Sequence, residues 1–295
     1  FHNKDNKYFN NRIFGNLYLE IEPIHNMIYK SNFSINYRNG YLSNFEPKWS
    51  EGSSRVVDKN SLYAKSDYDR EWIWSNTASY NFDLNKHGFN FLLGMEAKES
   101  VYEYIEGKRE DYLVEYLDYR YLSAGQGKQT NGGLMDRTTL VSYFGKFNYD
   151  FNDKYLFSAT LRNDASSRFG KNNNSAYFPA FSLGWRIFQE KFLKDINWIS
   201  DLKLRASWGK NGNDQMDNEA TYTKYLFDLN KAGYDLEGIN QGVIYSGIIK
   251  QRTGNPDIKW EVTTQTNFGL DVALLKNRLN LTIDYYLKKT DDMLI

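Results

Sequence analysis

Apolar and polar residues alternate with a period of two along most of this chain. Between Tyr155 and Arg162, Tyr155, Phe157, Ala159 and Leu161 fall on one face, while Ser158, Thr160 and Arg162 fall on the other. Successive side chains of a strand point to opposite sides, so the pattern predicts a strand with one apolar and one polar face. The signature recurs from the amino terminus onward. Ile13, Leu17, Leu19 and Ile21 oppose Asn16, Glu20 and Glu22. After a turn at Pro23 to Asn26, Tyr29, Phe33, Ile35 and Tyr37 oppose Lys30, Asn32, Ser34, Asn36 and Arg38. Trp72, Trp74, Ala78, Tyr80 and Phe82 lead through a loop at Leu84 to Gly88 into Phe89, Phe91, Leu93, Met95 and Ala97. Tyr143 to Phe151 turns at Asn152-Asp153-Lys154 into the strand first described, and Tyr177 to Phe188 and Leu202 to Gly209 follow. The cleanest alternation comes last. Trp260, Val262, Thr264, Thr266, Phe268, Leu270 and Val272 share a face, and a turn at Lys276-Asn277-Arg278 leads to Leu279, Leu281, Ile283, Tyr285 and Leu287.

These segments make about ten strands in five hairpins, most of roughly 11 to 16 residues, whereas globular strands average about five or six. Short turns alternate with long polar intervals at about Ser43–Asp69, Glu103–Arg137 and Asn211–Asp257, the second containing the glycine-rich SAGQGKQTNGG. Short turns on one side, long loops on the other and aromatics near strand ends are the pattern of an antiparallel transmembrane β-barrel. The polar faces carry Ser, Thr, Asn, Asp, Glu, Lys and Arg, which suit water or a polar plug better than the packed interior of a small barrel. The expected fold is therefore all-β, a section of a wider barrel.

Composition agrees. Aromatic residues make up 17% of the sequence, yet the mean hydropathy is −0.70, so they are interleaved with polar residues and not gathered into runs. No stretch approaches the roughly 18 consecutive apolar residues of a membrane helix. With 37 basic and 37 acidic residues the formal net charge is zero, which gives no reason to expect nucleic acid as a partner. The absence of Cys removes thiol nucleophiles and disulfide frameworks. The amino terminus has no apolar h-region, and the chain reads as residues 1–295 of one barrel domain, truncated at both ends.

Candidate chemistry is sparse. Ser166 and Ser167 lack a visible histidine partner, since His25 and His87 fall in predicted short turns and His2 lies at the terminus, so no enzyme is expected. Asp214, Asp217 and Glu219 concentrate oxygen ligands without the spacing of an ordered calcium loop. Gly125-Gln126-Gly127-Lys128 falls short of a phosphate-binding loop. No metal or cofactor is expected. The long intervals hold many aromatics, among them Trp49, Tyr222, Tyr225, Tyr234 and Tyr245, which are the candidates for stacking on sugar rings or peptides. Packing of loops against one another or a partner is the alternative reading for them. Arg162, Arg186, Lys203 and Arg205 are expected to line the channel or face a plug.

RNDASSRFG (Arg162 to Gly170), YFPAFSLGWR (Tyr177 to Arg186), LKLRASWGKNGN (Leu202 to Asn213) and GNPDIKWE (Gly254 to Glu261) resemble the SusC/RagA family, as do the following TTQTNFGLDVALLKNRLNLTIDYY and KKTDDML. These are TonB-dependent outer-membrane transporters of Bacteroidetes. The motifs cover about Tyr143 to Leu294, and Ala165 stands where the family usually has Gly. The resemblance implies a barrel of about 22 strands around an amino-terminal plug that this sequence does not contain. It implies a SusD-like surface lipoprotein, energy from the TonB complex, contact with outer-membrane lipid, and import of glycans or peptides. A passive porin or surface receptor is the second reading, and an outer-membrane enzyme or a soluble all-β adhesin the third.

Overall fold

A computed structural model describes residues 6–52, 55–193, 196, 198–234 and 245–294. The strands in chain order are β1 (Lys7–Ile24), β2 (Met27–Glu46), β3 (Trp49–Glu51), β4 (Arg55–Val57), β5 (Ser61–Leu84), β6 (His87–Glu110), β7 (Gln129–Phe151) and β8 (Tyr155–Ser166). They continue as β9 (Ser175–Arg186), β10 (Ile199–Asn213), β11 (Lys224–Tyr234), β12 (Tyr245–Arg252), β13 (Glu261–Leu274) and β14 (Leu279–Asp291). Ten form one sheet in the order β1-β2-β5-β6-β7-β8-β9-β10-β13-β14, with β1 and β14 at its edges. The pairs β3–β4 and β11–β12 are separate two-stranded sheets set in the long connections. The chain packs as two units, Phe1–Tyr18 with Asn32–Trp74 and Lys98–Thr138, and Leu19–Ser31 with Ser75–Ala97 and Thr139–Ile295.

The alternation translates directly into register. Phe157 stands opposite Leu183, Leu183 opposite Ala206, Ala206 opposite Phe268 and Phe268 opposite Tyr285, an unbroken apolar row over five strands. One residue along, Asn148, Ser158, Ser182, Ser207 and Asn267 make the matching polar row on the other face. The apolar row is not covered by protein: Leu183 is 60% exposed and Phe268 54%. A row of large exposed apolar side chains is what a lipid-facing surface requires.

The strands run longer than the pattern indicates. β5 and β6 each have 24 residues, about 80 Å at ~3.3 Å per residue, whereas about 9–11 residues cross a bilayer. The intervals expected to be polar loops are therefore partly strand: β2 continues to Glu46, β5 begins at Ser61, β6 runs to Glu110, and β7 takes in Gln129 to Gly133 of the glycine-rich segment. Asn211–Asp257 likewise holds the β11–β12 hairpin. In such extensions the ladder bonds hold the strand while neither face meets lipid, so hydrophobic alternation is not demanded of the sequence.

The short connections behave as their residues dictate. Asn26, Asn85, Asn152, Asp153 and Asn277 all adopt positive φ, which Asn and Asp tolerate best among residues with a Cβ. Ala165 pairs with Val141 on one side and Ser175 on the other, so the ladder continues through this position with Ala in place of Gly.

Two small apolar clusters fix the ends of the strands. One gathers Phe45, Leu62 and Tyr112, and the other gathers Phe169, Phe178 and Trp260. Trp260, grouped by alternation with Val262 to Val272 on one face, instead precedes β13 and is buried in the second cluster, stacked on Phe169 with centroids 4.9 Å apart. Alternation alone cannot register this, because the ladder starts one residue later, at Glu261.

Glycine makes room for aromatic rings at two places. A Cβ on Gly94 would overlap the ring of Phe144, and one on Gly212 the ring of Phe178. Gly94→Ala is expected to destabilise by about 1–3 kcal/mol through overpacking. A lowered urea midpoint for the full-length barrel, with unchanged slope, checks it, and Phe144→Leu should restore part of the loss.

Candidate functional site

The polar face is the feature that carries charge in an organised way. Period-two strands place its residues side by side, and long polar side chains then reach across to the next strand. Ser158 donates to Asn148 at 2.7 Å, and Asn148 donates to Asn90 at 2.7 Å. Asn90 in turn donates to Asn81. Arg162 bonds Asp164 at 2.6 Å and the fully buried Ser142 at 2.8 Å, with Glu96 at 3.5 Å and the Phe144 ring 5.3 Å from its guanidinium. Arg205 forks onto Asp271 at 2.7 and 3.0 Å and reaches Asp284 at 3.2 Å, joining β10, β13 and β14. A concavity of about 530 Å³ on this face is lined by Asn90, Asn148, Ser158, Ser182, Arg205 and Asn267 among others. The surface is thus wet, charge-balanced and held rigid by cross-strand bonds. It offers amides and hydroxyls to a polar ligand.

Of the expected channel-lining cations, Arg162 and Arg205 stand on this face in ion pairs, and Lys203 stands opposite both Arg186 and Asp271. Their partners Glu96, Asp271 and Asp284 were not singled out from the sequence. The signal for them is the register: once β10 is laid against β13, Asp271 is a diagonal neighbour of Arg205.

The loop aromatics separate. Trp49 pairs with Val57 in the β3–β4 sheet and belongs to the first unit. The other four belong to the second. Tyr234 and Tyr245 stand directly opposite each other in the β11–β12 hairpin, and the Tyr234 ring lies over Gly247. Tyr225 is paired with Lys250, whose side of the hairpin is the reverse of that of Tyr245, and it shares its face with Phe227 and Ile248. Tyr222 precedes the hairpin, its backbone against Gly254. Tyr222, Tyr225, Phe227, Tyr234 and Tyr245 are all exposed, so the hairpin presents an aromatic surface on both faces.

The remaining candidates are occupied by structural bonds. Ser166 is buried and donates to Asp214 at 2.8 Å, while Ser167 Oγ accepts the Thr139 N–H at 2.9 Å. Asp217 pairs with Arg252 at 2.5 Å and Glu219 with Lys224 at 2.6 Å, so the acidic loop directs its carboxylates to different cations. The Gly127 and Gln126 N–H groups bond the Glu110 and Asp111 carbonyls, leaving no cradle for phosphate. His87 opens β6, Nδ1 2.8 Å from the Tyr149 hydroxyl and its ring beside Phe89 and Phe151, an aromatic girdle at the short-turn end. His25 sits 3.6 Å from Glu22, and His2 lies outside the described residues.

The family model for the TonB-dependent receptor-like β-barrel matches residues 1–295. The chain belongs to that family. It is 30% identical over 292 residues to TonB-dependent receptor P39 of Formosa agariphila, covering 98% of this chain and 27% of that protein. It is 43% identical over 159 residues to TonB-dependent receptor SusC of Bacteroides thetaiotaomicron, covering 54% of this chain and 15% of that protein. The structure of the RagAB peptide transporter superposes with a TM-score of 0.85 at 27% identity, over 98% of this chain and 31% of that one. The chain thus spans about a quarter to a third of the relatives it matches over its whole length, and it is a SusC/RagA-type segment of an outer-membrane TonB-dependent receptor barrel.

In this receptor the short-turn rim holds an ion pair whose pH range follows from its chemistry. Glu190 accepts from Lys154 Nζ at 2.5 Å, Tyr155 Oη at 2.9 Å and Trp185 Nε1 at 3.1 Å. The Lys154 ammonium holds the Glu190 carboxyl below its usual range, and the carboxylate raises Lys154. A depressed carboxylate contributes fully above its ordinary value of about 4.3 and fades as pH falls through the lower folded value. A raised ammonium contributes fully below about 10.4 and fades as pH rises through the higher one. Amide exchange at Arg186, whose N–H bonds the Lys154 carbonyl, is therefore expected to stay protected between these limits once intrinsic exchange is corrected for, and to weaken outside them. Glu190→Gln should remove both limbs, because the upward shift of Lys154 rests first on that carboxylate.

Proposed function

We propose that this chain is a wall segment of an active importer for glycans or peptides, energised by the TonB complex and lidded by a SusD-like surface lipoprotein. The observation that carries the reading is the two-faced sheet: an exposed apolar row on one side, and on the other a charge-balanced row of amides, hydroxyls and ion pairs. A polar wall of this kind suits solutes rich in hydroxyls or amides, too large for a narrow pore, passing without covalent change. The likeness to SusC and to the RagAB peptide transporter supports the importer reading. The aromatic β11–β12 hairpin is its proposed ligand-contacting or lid-contacting element.

The test is uptake of fluorescent oligosaccharides and peptides by cells expressing the full-length receptor. Uptake is expected to vanish when TonB is deleted and to fall about tenfold with Tyr234→Ala/Tyr245→Ala, since each stacked ring is worth about 0.5–1.5 kcal/mol. Uptake that persists without TonB establishes a passive pore instead. Affinity capture from outer membranes should recover a surface lipoprotein with the receptor, and its absence removes the partner from the reading.

A further inference from the structure

Tracing the alternation through β5, β6 and β7 finds charge on the apolar side. In β6 the polar face carries Asn90 and Glu96, both bonded to polar-face partners, so Phe91, Leu93, Met95, Ala97 and then Glu99 face outward. In β5 the same reasoning from Asn81 places Tyr80, Trp74, Trp72 and Arg70 outward, and in β7 Arg137 follows Tyr143, Val141 and Thr139. The geometry confirms the face. Glu99 accepts Arg137 Nε at 2.8 Å, Arg70 Nη2 at 3.2 Å and Trp72 Nε1 at 3.2 Å, and Arg137 Nη2 also donates to it. Trp72 stacks on the outward Phe33, centroids 6.3 Å apart.

Two guanidiniums therefore converge on one carboxylate at the level where the outward face changes from apolar to charged. Glu99 is almost covered, with 10% of its side chain exposed, but Arg137 is 61% and Arg70 46% exposed. Each guanidinium has five N–H donors, and Glu99 takes two from Arg137 and one from Arg70, so most of their donors are not taken by Glu99. The local excess is one positive charge. The next outward acid, Glu103, is held by the Tyr68 hydroxyl four residues further along β6, about 13 Å away at ~3.3 Å per residue. The outward neighbours Phe33, Tyr37 and Trp74 are uncharged.

We propose that Arg70 and Arg137 form a site for the phosphate of an amphiphile in the outer leaflet of the surrounding membrane. Its acyl chains lie against the outward Phe33, Trp72 and Trp74 of the same unit, and its headgroup phosphate is bridged by the two guanidiniums, which suit phosphate by their planar forks. Glu99 and the Trp72 indole position the pair and keep it from folding onto other acceptors. The site is separate from the polar wall and independent of what the receptor imports.

The test uses the full-length receptor purified from outer membranes in mild detergent, with native mass spectrometry, and phosphatidylcholine nanodiscs carrying a monophosphorylated glucosamine lipid or its dephosphorylated form. The wild type is expected to retain the phosphorylated lipid, and R70Q/R137Q to bind it about thirtyfold more weakly, the effect of removing two cations beside an anionic surface. R70K/R137K should lie between them, because it keeps charge without the fork. Heat-modifiable migration on gels reports that each barrel is folded. If the double variant does not fold, R137Q alone is expected to lose about fivefold. Equal binding of the phosphorylated and dephosphorylated lipids, equal binding by wild type and variants, or displacement by inorganic phosphate at the lipid's own concentration would each overturn the proposal.

Discussion

Trp260→Ala is expected to open the extracellular connections of the second unit without unzipping its sheet. Trp260 is 6% exposed, stacks on Phe169, meets Phe178 edge-on at 5.4 Å and donates from Nε1 to the Asn174 carbonyl at 3.3 Å. These contacts tie the β8–β9 loop to the β12–β13 loop. Around them the packing has no slack: a Cβ on Gly170 would run into the Pro256 carbonyl, and Asn173 donates to the Asp257 carbonyl at 3.2 Å. Removing a buried aromatic of this size costs about 3–5 kcal/mol. The neighbouring ladder bonds do not depend on it, so the loss appears as local opening, with the open population rising about 10²- to 5 × 10³-fold. Protease added to intact cells should then cut between Ser166 and Asn174 and between Gly254 and Trp260 faster by that factor. Trp260→Phe keeps the stack and gives up one hydrogen bond, about 1 kcal/mol or less than tenfold. Unchanged cleavage in the alanine variant would mean that the cluster does not hold the loops.

This cluster shows what was legible in the sequence and what was not. The strands of the barrel wall were legible, because lipid on one side and water on the other force each residue to declare its face. The row from Phe157 to Tyr285 and its polar counterpart follow from that rule alone. Trp260 followed the same alternation but for a different reason, packing against loop residues distant in sequence, and a period-two pattern cannot separate the two. The motif RNDASSRFG was legible as a family signature, while its physical role was not: Ser166 reaches Asp214, Arg168 reaches the Asp214 carbonyl at 2.9 Å, and Phe169 reaches Trp260. Such roles depend on which loops meet. The strand extensions beyond the apolar band were invisible because water on both faces imposes no pattern.

The candidate site divides along the same line. Arg162, Arg186, Lys203 and Arg205 were identified because charge on the polar face of an alternating strand stands out. Their acidic partners emerge only when strands are laid in register, since Asp271 is 66 residues from Arg205. Among the loop aromatics, the pairing of Tyr234 with Tyr245 could not be read, because nothing in a polar interval announces a hairpin whose strands pair through backbone bonds. The Glu99 cluster lay one step further off, as Trp72 was read with the lipid face and its indole turns out to serve a carboxylate.

Asn60→Ala is expected to free the long loop after β6 in the first unit, for a reason different from that at Trp260. Asn60 is 1% exposed and works as a surrogate strand partner. Its side-chain amide donates to the Tyr112 carbonyl at 2.9 Å and to Glu115 at 2.8 Å, its Oδ1 accepts the Tyr112 N–H at 2.7 Å, and its own carbonyl accepts the Asp111 N–H at 3.0 Å. Tyr112 is thereby held against Phe45 and Leu62, and Asp111 can adopt its positive φ at the point where the chain leaves the ladder. Alanine would remove no apolar contact of note, but it would strand a buried N–H and a buried C=O on Tyr112. Each unsatisfied group costs about 1–3 kcal/mol, so the pair comes to about 2–6 kcal/mol. Exchange of the Tyr112 amide should accelerate by about 30-fold to about 10⁴-fold, with the ladder amides of β10 and β13 unchanged. Asn60→Asp discriminates between lost bonds and lost shape. It keeps the volume and the acceptor for the Tyr112 N–H, yet it sets a carboxylate against the Tyr112 carbonyl and Glu115, and it should therefore destabilise at least as much as alanine at neutral pH. If Asn60→Asp proved as stable as the wild type, steric fit and not hydrogen bonding would be what holds this loop.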